Sequence, residues 1–110
     1  VSNHGGRQLD QTSSTISMLP KIVKAVKGKS AIWLDGGIRS GQDILKAVAL
    51  GADNTLIGRA MSYGLGANGL NGCEKALNIL HTELDMTMAL CGHKNLKNVD
   101  DSILKIKSDF

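Results

Sequence analysis

Apolar residues recur along the 110-residue chain at helical spacings broken by two short continuous runs, and this alternation predicts its elements. After a polar, turn-like stretch at residues 11–15, Ile16, Leu19, Val23 and Val26 recur at intervals of three and four, with Lys21, Lys24 and Lys27 opposite them. This predicts an amphipathic helix ending near Gly28, in which Pro20 fits best within the first turn, where its missing N–H is not needed. Ser30-Ala31-Ile32-Trp33-Leu34 is a short apolar run closing on Asp35, the pattern of a buried parallel strand. A second helix is expected with Ser40 as N-cap, Asp43 in the first turn, Ile44, Leu45, Val48 and Ala49 as its buried face, and Gly51 as its stop. Asn54-Thr55-Leu56-Ile57 reads as a second strand. Residues 60–71 are glycine-rich and read as a connector holding a short helix and a turn, with no chemistry of its own. Over residues 72–90, Cys73, Leu77, Leu80, Leu84, Met88 and Cys91 form the stripe of one long helix, which Gly92 ends; its methionines read as gap-filling core. The polar tail holds a short apolar turn at Ile103, Leu104 and Ile106, with Asp100, Asp101 and Ser102 as candidate caps.

Composition narrows the class. The length permits one small domain, and with only 3% aromatic residues its core must be aliphatic. The net charge of +3 is mild, the lysines are spread along helices, and a single Trp and a single Tyr make no stacking platform. Nucleic acid is therefore not an expected partner. No apolar run approaches the ~20 residues of a membrane span, and no signal-peptide pattern is present. The expected location is cytoplasmic, with peripheral attachment to the inner face of a membrane as the alternative for a longer chain. Cys73 and Cys91, on one predicted helix, would stand roughly 27 Å apart, too far for a disulfide, and are expected as two buried thiols. Cys91-Gly92-His93 lacks the partner ligands and spacing of a zinc site, and His81 and His93 read as structural or solvent-facing.

The chemistry concentrates in three places. In the opening Ser2-Asn3-His4-Gly5-Gly6-Arg7-Gln8-Leu9-Asp10, a histidine able to take a proton near neutral pH stands three residues from an arginine able to clamp a carboxylate or phosphate. The glycines between them allow a sharp turn. A base beside an anion clamp points to proton or hydride chemistry next to a carboxylate; the plainer alternative is a surface histidine and an idle arginine. Asp35-Gly36-Gly37-Ile38-Arg39 then leads from the first strand to a helix N-terminus, where outward N–H groups, the helix dipole and Arg39 would cradle a phosphate. The alternative there is a tight turn needing glycine only for positive φ. Gly58-Arg59 repeats the pattern after the second strand. Two successive βα units carrying Gly-Arg pairs at the same end of a parallel sheet match a (β/α)8 barrel, whose last two loops commonly hold a phosphate.

These three segments, in this order, resemble the FMN-dependent 2-hydroxy-acid dehydrogenases and oxidases, the family of L-lactate dehydrogenases and glycolate oxidases. Thr87-Met88-Ala89-Leu90-Cys91-Gly92, followed by Leu96, resembles the end of that family's last helix. The resemblance implies the C-terminal portion of a TIM barrel, from the end of strand six through helix eight. It further implies that Ser2 contacts the flavin, His4 is the active-site base, and Arg7 binds the substrate carboxylate. Asp35, Gly36, Gly37, Ile38, Arg39, Gly58 and Arg59 would bind FMN. The implied reaction oxidises an (S)-2-hydroxy acid, with L-lactate foremost, to the 2-oxo acid; oxygen, a quinone or a cytochrome would reoxidise the flavin. The missing N-terminal barrel portion is an implied partner, the complete protein is expected to be a homo-oligomer, and the 110 residues alone are expected to be inactive. Two alternatives remain: another phosphate-binding barrel enzyme such as an FMN-dependent isopentenyl-diphosphate isomerase, and a non-catalytic truncated remnant.

Overall fold

The computed structural model describes residues 1–105, so Ile106 of the expected C-terminal turn lies outside the described residues. Ser14 opens the first helix, α1 (Thr15–Val26), and its side chain accepts a hydrogen bond from the Ser17 amide. That cap starts the helix earlier than the proline predicts. Pro20 stands inside it, beyond the first turn, on an exposed face where water can serve the carbonyl its missing N–H leaves free.

Strands β1 (Trp33–Asp35) and β2 (Asn54–Leu56) pair in parallel, with Leu34 opposite Thr55. Both are shorter than their apolar runs. Ile32 falls just outside β1, although its N–H donates to the Asp53 carboxylate at 2.7 Å and its carbonyl accepts from the Asp53 amide at 2.8 Å. Burial within β1 alternates rather than being continuous: Leu34 is fully buried, while Trp33 is 51% exposed.

Val1 adds a third strand position on the other side of β1. Its amine donates to the Trp33 carbonyl, and its own carbonyl accepts from the Asp35 amide at 2.8 Å. Bonds to the residues either side of Leu34 are the parallel-bridge pattern. The three segments therefore run the same way, and their C-terminal loops all open at one end of the sheet.

Helix α2 (Gly41–Ala49) begins with the expected cap: the Ser40 side chain accepts from the Asp43 amide, and the Asp43 carboxylate accepts from the Ser40 amide. Its buried face is turned from the expected one, with Leu45, Ala47 and Ala49 buried and Ile44 and Val48 half-buried. The cause is that α2 packs on two neighbours, the sheet and the long helix α3 (Arg59–Leu90). The core beneath α1 and α2 consists of Leu19, Ile32, Leu34, Ile38, Ala47 and Ala52.

Helix α3 breaks at Asn68 and Gly69, whose backbones leave helical geometry. The expected connector is thus the first limb of a bent helix. The two limbs meet backbone to backbone: a Cβ on Gly72 would stand 1.8 Å from the Gly64 carbonyl oxygen. The expected stripe is only partly covered, with Leu80 buried, Cys73, Leu84 and Met88 half-buried, and Leu77 and Cys91 exposed. Cys73 is half-buried and Cys91, the C-cap, is exposed, so the thiols are free but not both buried. A hydrophobic stripe is buried only where a neighbour covers it, and α2 covers part of this one.

The tail forms two single turns, Leu96–Asn98 and Asp101–Ile103. Asp100 caps the second, accepting from the Ser102 amide at 3.0 Å, while Asp101 and Ser102 lie within the turn. His81 is exposed and His93 half-buried.

Candidate functional site

The loops after Val1, β1 and β2 converge on one cavity of about 720 Å³. This is within the range of small-ligand sites, roughly 300–1,000 Å³. His4 and Arg7 line it from the first loop, the continuous stretch 35–39 from the second, and Gly58, Arg59, Ala60, Ser62 and Tyr63 from the third. Every expected site residue except Ser2 is therefore on its wall.

The first loop is a left-handed turn. His4, Gly5 and Gly6 have φ of 56°, 63° and 75°. Glycine adopts this at little cost, but a histidine pays roughly 1–2 kcal/mol. The surroundings hold it: the His4 amide donates to Ser2 Oγ at 3.1 Å, the Gly5 amide donates to Asn3 Oδ1 at 3.1 Å, and Asn3 Nδ2 is anchored on the Ser13 carbonyl. Ser2 Oγ also donates to Asp35 Oδ2 at 2.6 Å. Ser2, exposed and outside the cavity lining, thus ties the histidine turn to the second loop.

In that loop Gly36 and Gly37 have φ of 106° and 84°. Successive N–H groups in such a turn form an anion-binding concavity. The Ile38 side chain belongs to the core, so Ile38 meets the cavity through its main chain. The Arg39 side chain is exposed at the rim.

The start of α2 departs from the expected phosphate cradle. The N-terminus of α2 does not present its amides to a ligand. The Asp43 carboxylate accepts from the Arg39 and Ser40 amides at 3.1 and 3.0 Å, and Glu83 of α3 accepts from the Gly41 amide at 2.8 Å. Two carboxylates already answer the dipole and donors of that helix. The helix end that faces the cavity is that of α3, whose N-cap Gly58 makes no side-chain cap bond. Its first turn, with Arg59 and Arg39, is the anion-attracting wall.

The first limb of α3 carries more than its glycine-rich sequence predicts, since Ala60, Ser62 and Tyr63 line the cavity. Tyr63 follows Arg59 by four residues, the spacing that places two side chains on one helix face. A second, shallower depression of about 440 Å³ along α3, lined by Asn71, Glu74, Lys75 and Asn78 among others, gathers no comparable chemistry. Among the described residues no cluster of three or more His, Cys, Asp or Glu could hold a metal, and no helix is long and apolar enough to cross a membrane.

The family model described as FMN-dependent dehydrogenase matches residues 1–106. The chain is 51% identical over 104 residues to 2-hydroxyacid oxidase of Dictyostelium discoideum, a match covering 94% of this chain and 27% of that protein. It is 48% identical over 105 residues to human 2-hydroxyacid oxidase 1, covering 96% and 28%. It is 48% identical over 106 residues to L-lactate oxidase of Nostoc sp., covering 96% and 29%. A crystal structure of mandelate oxidase with benzoyl-formic acid superposes with a TM-score of 0.85 at 47% identity, over 88% of this chain and 29% of that one. The chain spans less than a third of the length of each of these relatives.

Proposed function

The chain belongs to the FMN-dependent dehydrogenase family, and from that premise we propose that it carries the phosphate-binding loops and catalytic base of an (S)-2-hydroxy-acid-oxidising enzyme. The observation that carries this reading is the single cavity that His4, Arg7, Arg39 and Arg59 share. The donor set fits the phosphate end of FMN: two guanidinium groups, the Gly36-Gly37 turn and an uncapped helix N-terminus.

In this reading Arg39, Arg59 and the first turn of α3 hold the phosphate, with Asp35 and the glycine loop along the rest of the cofactor. Arg7 pairs with the substrate carboxylate and thereby fixes C2 and its hydroxyl beside His4. The His4 imidazole takes one proton from the substrate. Bound FMN supplies the acceptor for the two electrons and the second hydrogen, leaving the 2-oxo acid. The Ser2 and Asn3 anchors hold the backbone of the left-handed turn that carries His4.

The chain further fits the final part of a (β/α)8 barrel, from the end of strand six through helix eight. Val1 hydrogen-bonded to β1 on the side away from β2 supports that order. The oxidase names of the relatives favour oxygen over a quinone or cytochrome as reoxidant. Identity with the Nostoc L-lactate oxidase supports L-lactate as the first substrate to test, and the human 2-hydroxyacid oxidase at equal identity makes other short 2-hydroxy acids the comparison.

The test is anaerobic mixing of the complete flavoprotein containing this chain with L-lactate, glycolate and (S)-mandelate, followed by flavin absorbance. Bleaching by at least one acid, with formation of its 2-oxo product, is expected. A flavin that none of them reduces would overturn the assignment.

A further inference from the structure

We infer that Thr15 is a positioning residue for the phosphate site: its hydroxyl holds the Gly36 carbonyl inward and so aims the Gly37 N–H into the cavity. The inference rests on the FMN reading above and assigns a role to a residue outside the cavity wall.

Thr15 is the one buried polar side chain among the described residues, at 5% exposure. It is the first residue of α1, but the capping bond of that helix is made by Ser14, so its hydroxyl is not used there. Instead Thr15 Oγ1 donates to the Gly36 carbonyl at 3.2 Å. The fit is close, since a Cβ on Gly36 would lie 3.2 Å from Thr15 Oγ1 and 3.3 Å from Asn3 Oδ1.

The Gly36 carbonyl and the Gly37 N–H belong to one peptide unit, and no peptide among the described residues is cis. In a trans unit the two groups point in opposite directions. With the carbonyl held against α1, the N–H must face the other way. Gly37 is exposed and lines the cavity, and a Cβ built on it would meet nothing within 4 Å, so the side of this unit away from α1 is open to a ligand.

Two glycines flank this unit, so its plane can turn over at little conformational cost. The Thr15 hydroxyl is what opposes the turn. Without it, the reversed plane would put a carbonyl oxygen where an anion is to bind. The loss should therefore fall on a ligand carrying phosphate and spare the same ligand without it.

The experiment uses the complete protein containing this chain, stripped of flavin. Dissociation constants for FMN and riboflavin are read from quenching of flavin fluorescence for the unsubstituted protein, Thr15→Val and Thr15→Ser. Thr15→Val should weaken FMN about fivefold or more, the scale of one lost hydrogen bond, and shift riboflavin less than twofold. Thr15→Ser should keep the unsubstituted preference for FMN. Thr15→Ala and Thr15→Ser form a second comparison that does not depend on Val folding, and only Ser should retain the preference. Equal weakening of both flavins, or an unchanged FMN-to-riboflavin ratio without the hydroxyl, overturns the role of Thr15 alone. An unsubstituted protein that does not prefer FMN to riboflavin overturns the phosphate-site reading and this inference with it.

Discussion

Glu83, near the end of α3, accepts a hydrogen bond from the amide of Gly41, the first residue of α2, at 2.8 Å. The helices meet so closely there that a Cβ on Gly41 would stand 2.0 Å from the Leu84 amide nitrogen and 2.4 Å from the Glu83 carbonyl carbon. Both obstacles are backbone, so neither can move aside as a side-chain tip could. Gly41 has no positive φ, and the demand for glycine is steric. Gly41→Ala should therefore cost at least the 1–3 kcal/mol typical of overpacking in the complete protein. Chemical denaturation checks it, and a cost under about 0.5 kcal/mol would contradict the close contact. Glu83→Gln keeps an acceptor for the Gly41 amide and should cost less than Glu83→Ala, which leaves that amide without its partner.

The two arginines at the strand ends should divide their work from that of Arg7. Arg59 lines the cavity beside the uncapped start of α3. Arg59→Gln should weaken FMN by about tenfold or more, the scale of a charge-assisted bond, with riboflavin little changed. Arg7→Lys, which loses the bidentate geometry, should raise KM for the 2-hydroxy acid and leave FMN affinity intact. His4→Gln should lower kcat by about 10²–10⁴ with the flavin still bound. Fluorescence titration and steady-state kinetics of the complete protein separate the three. Loss of flavin in His4→Gln would mean that His4 acts on the cofactor site instead.

Local signals make much of this legible in the sequence. The Ser40–Asp43 cap, the two parallel strands and the two Gly-Arg loops are each written within a few neighbouring residues, and each forms. Features that span long separations are not legible. The Gly41–Glu83 bond joins positions 42 apart, and it takes the α2 amide that the local Asp43 cap leaves free. The Thr15–Gly36 bond joins positions 21 apart. The stripe on α3 shows an apolar face but not how much of it a neighbour covers. Tyr63 is masked by the glycines around it, which read as connector, although its spacing from Arg59 marks the shared face.

Asp100 gives the tail an acid limit. Its side-chain and backbone hydrogen bonds with Ser102, aided by the charge of His93, hold its carboxyl below the usual carboxylate range. A pKa lowered by folding contributes stability that is present above the unfolded value near 3.8 and is lost as pH falls through the lower folded value. The Asp101–Ile103 turn should therefore loosen only in that acid window and stay unchanged at neutral pH. The Ser102 amide shift, followed by NMR against pH, should titrate with Asp100, and Asp100→Asn should abolish the titration. A Ser102 shift that stays flat through that acid window would contradict the bond.

The 110-residue chain by itself leaves apolar surface and a sheet edge uncovered. Among the described residues β2 pairs only with β1, leaving its other edge open. Trp33 and Leu56 are 51% and 43% exposed on the strands, and Leu70 and Leu90 are 73% and 83% exposed on α3. A sheet this small is marginal alone, and apolar side chains of this size contribute stability only when covered. His4 and Arg7 also sit on a turn whose left-handed histidine must be held by its surroundings. The isolated chain should bind hydrophobic dyes, unfold with low cooperativity and show no flavin-dependent oxidation of any 2-hydroxy acid. Supplying the remaining portion of a family member's barrel as a separate polypeptide should suppress dye binding and restore flavin binding together, because both depend on covering the same surfaces. Oxidation of L-lactate or glycolate by the purified chain alone would show that the cavity is complete without them.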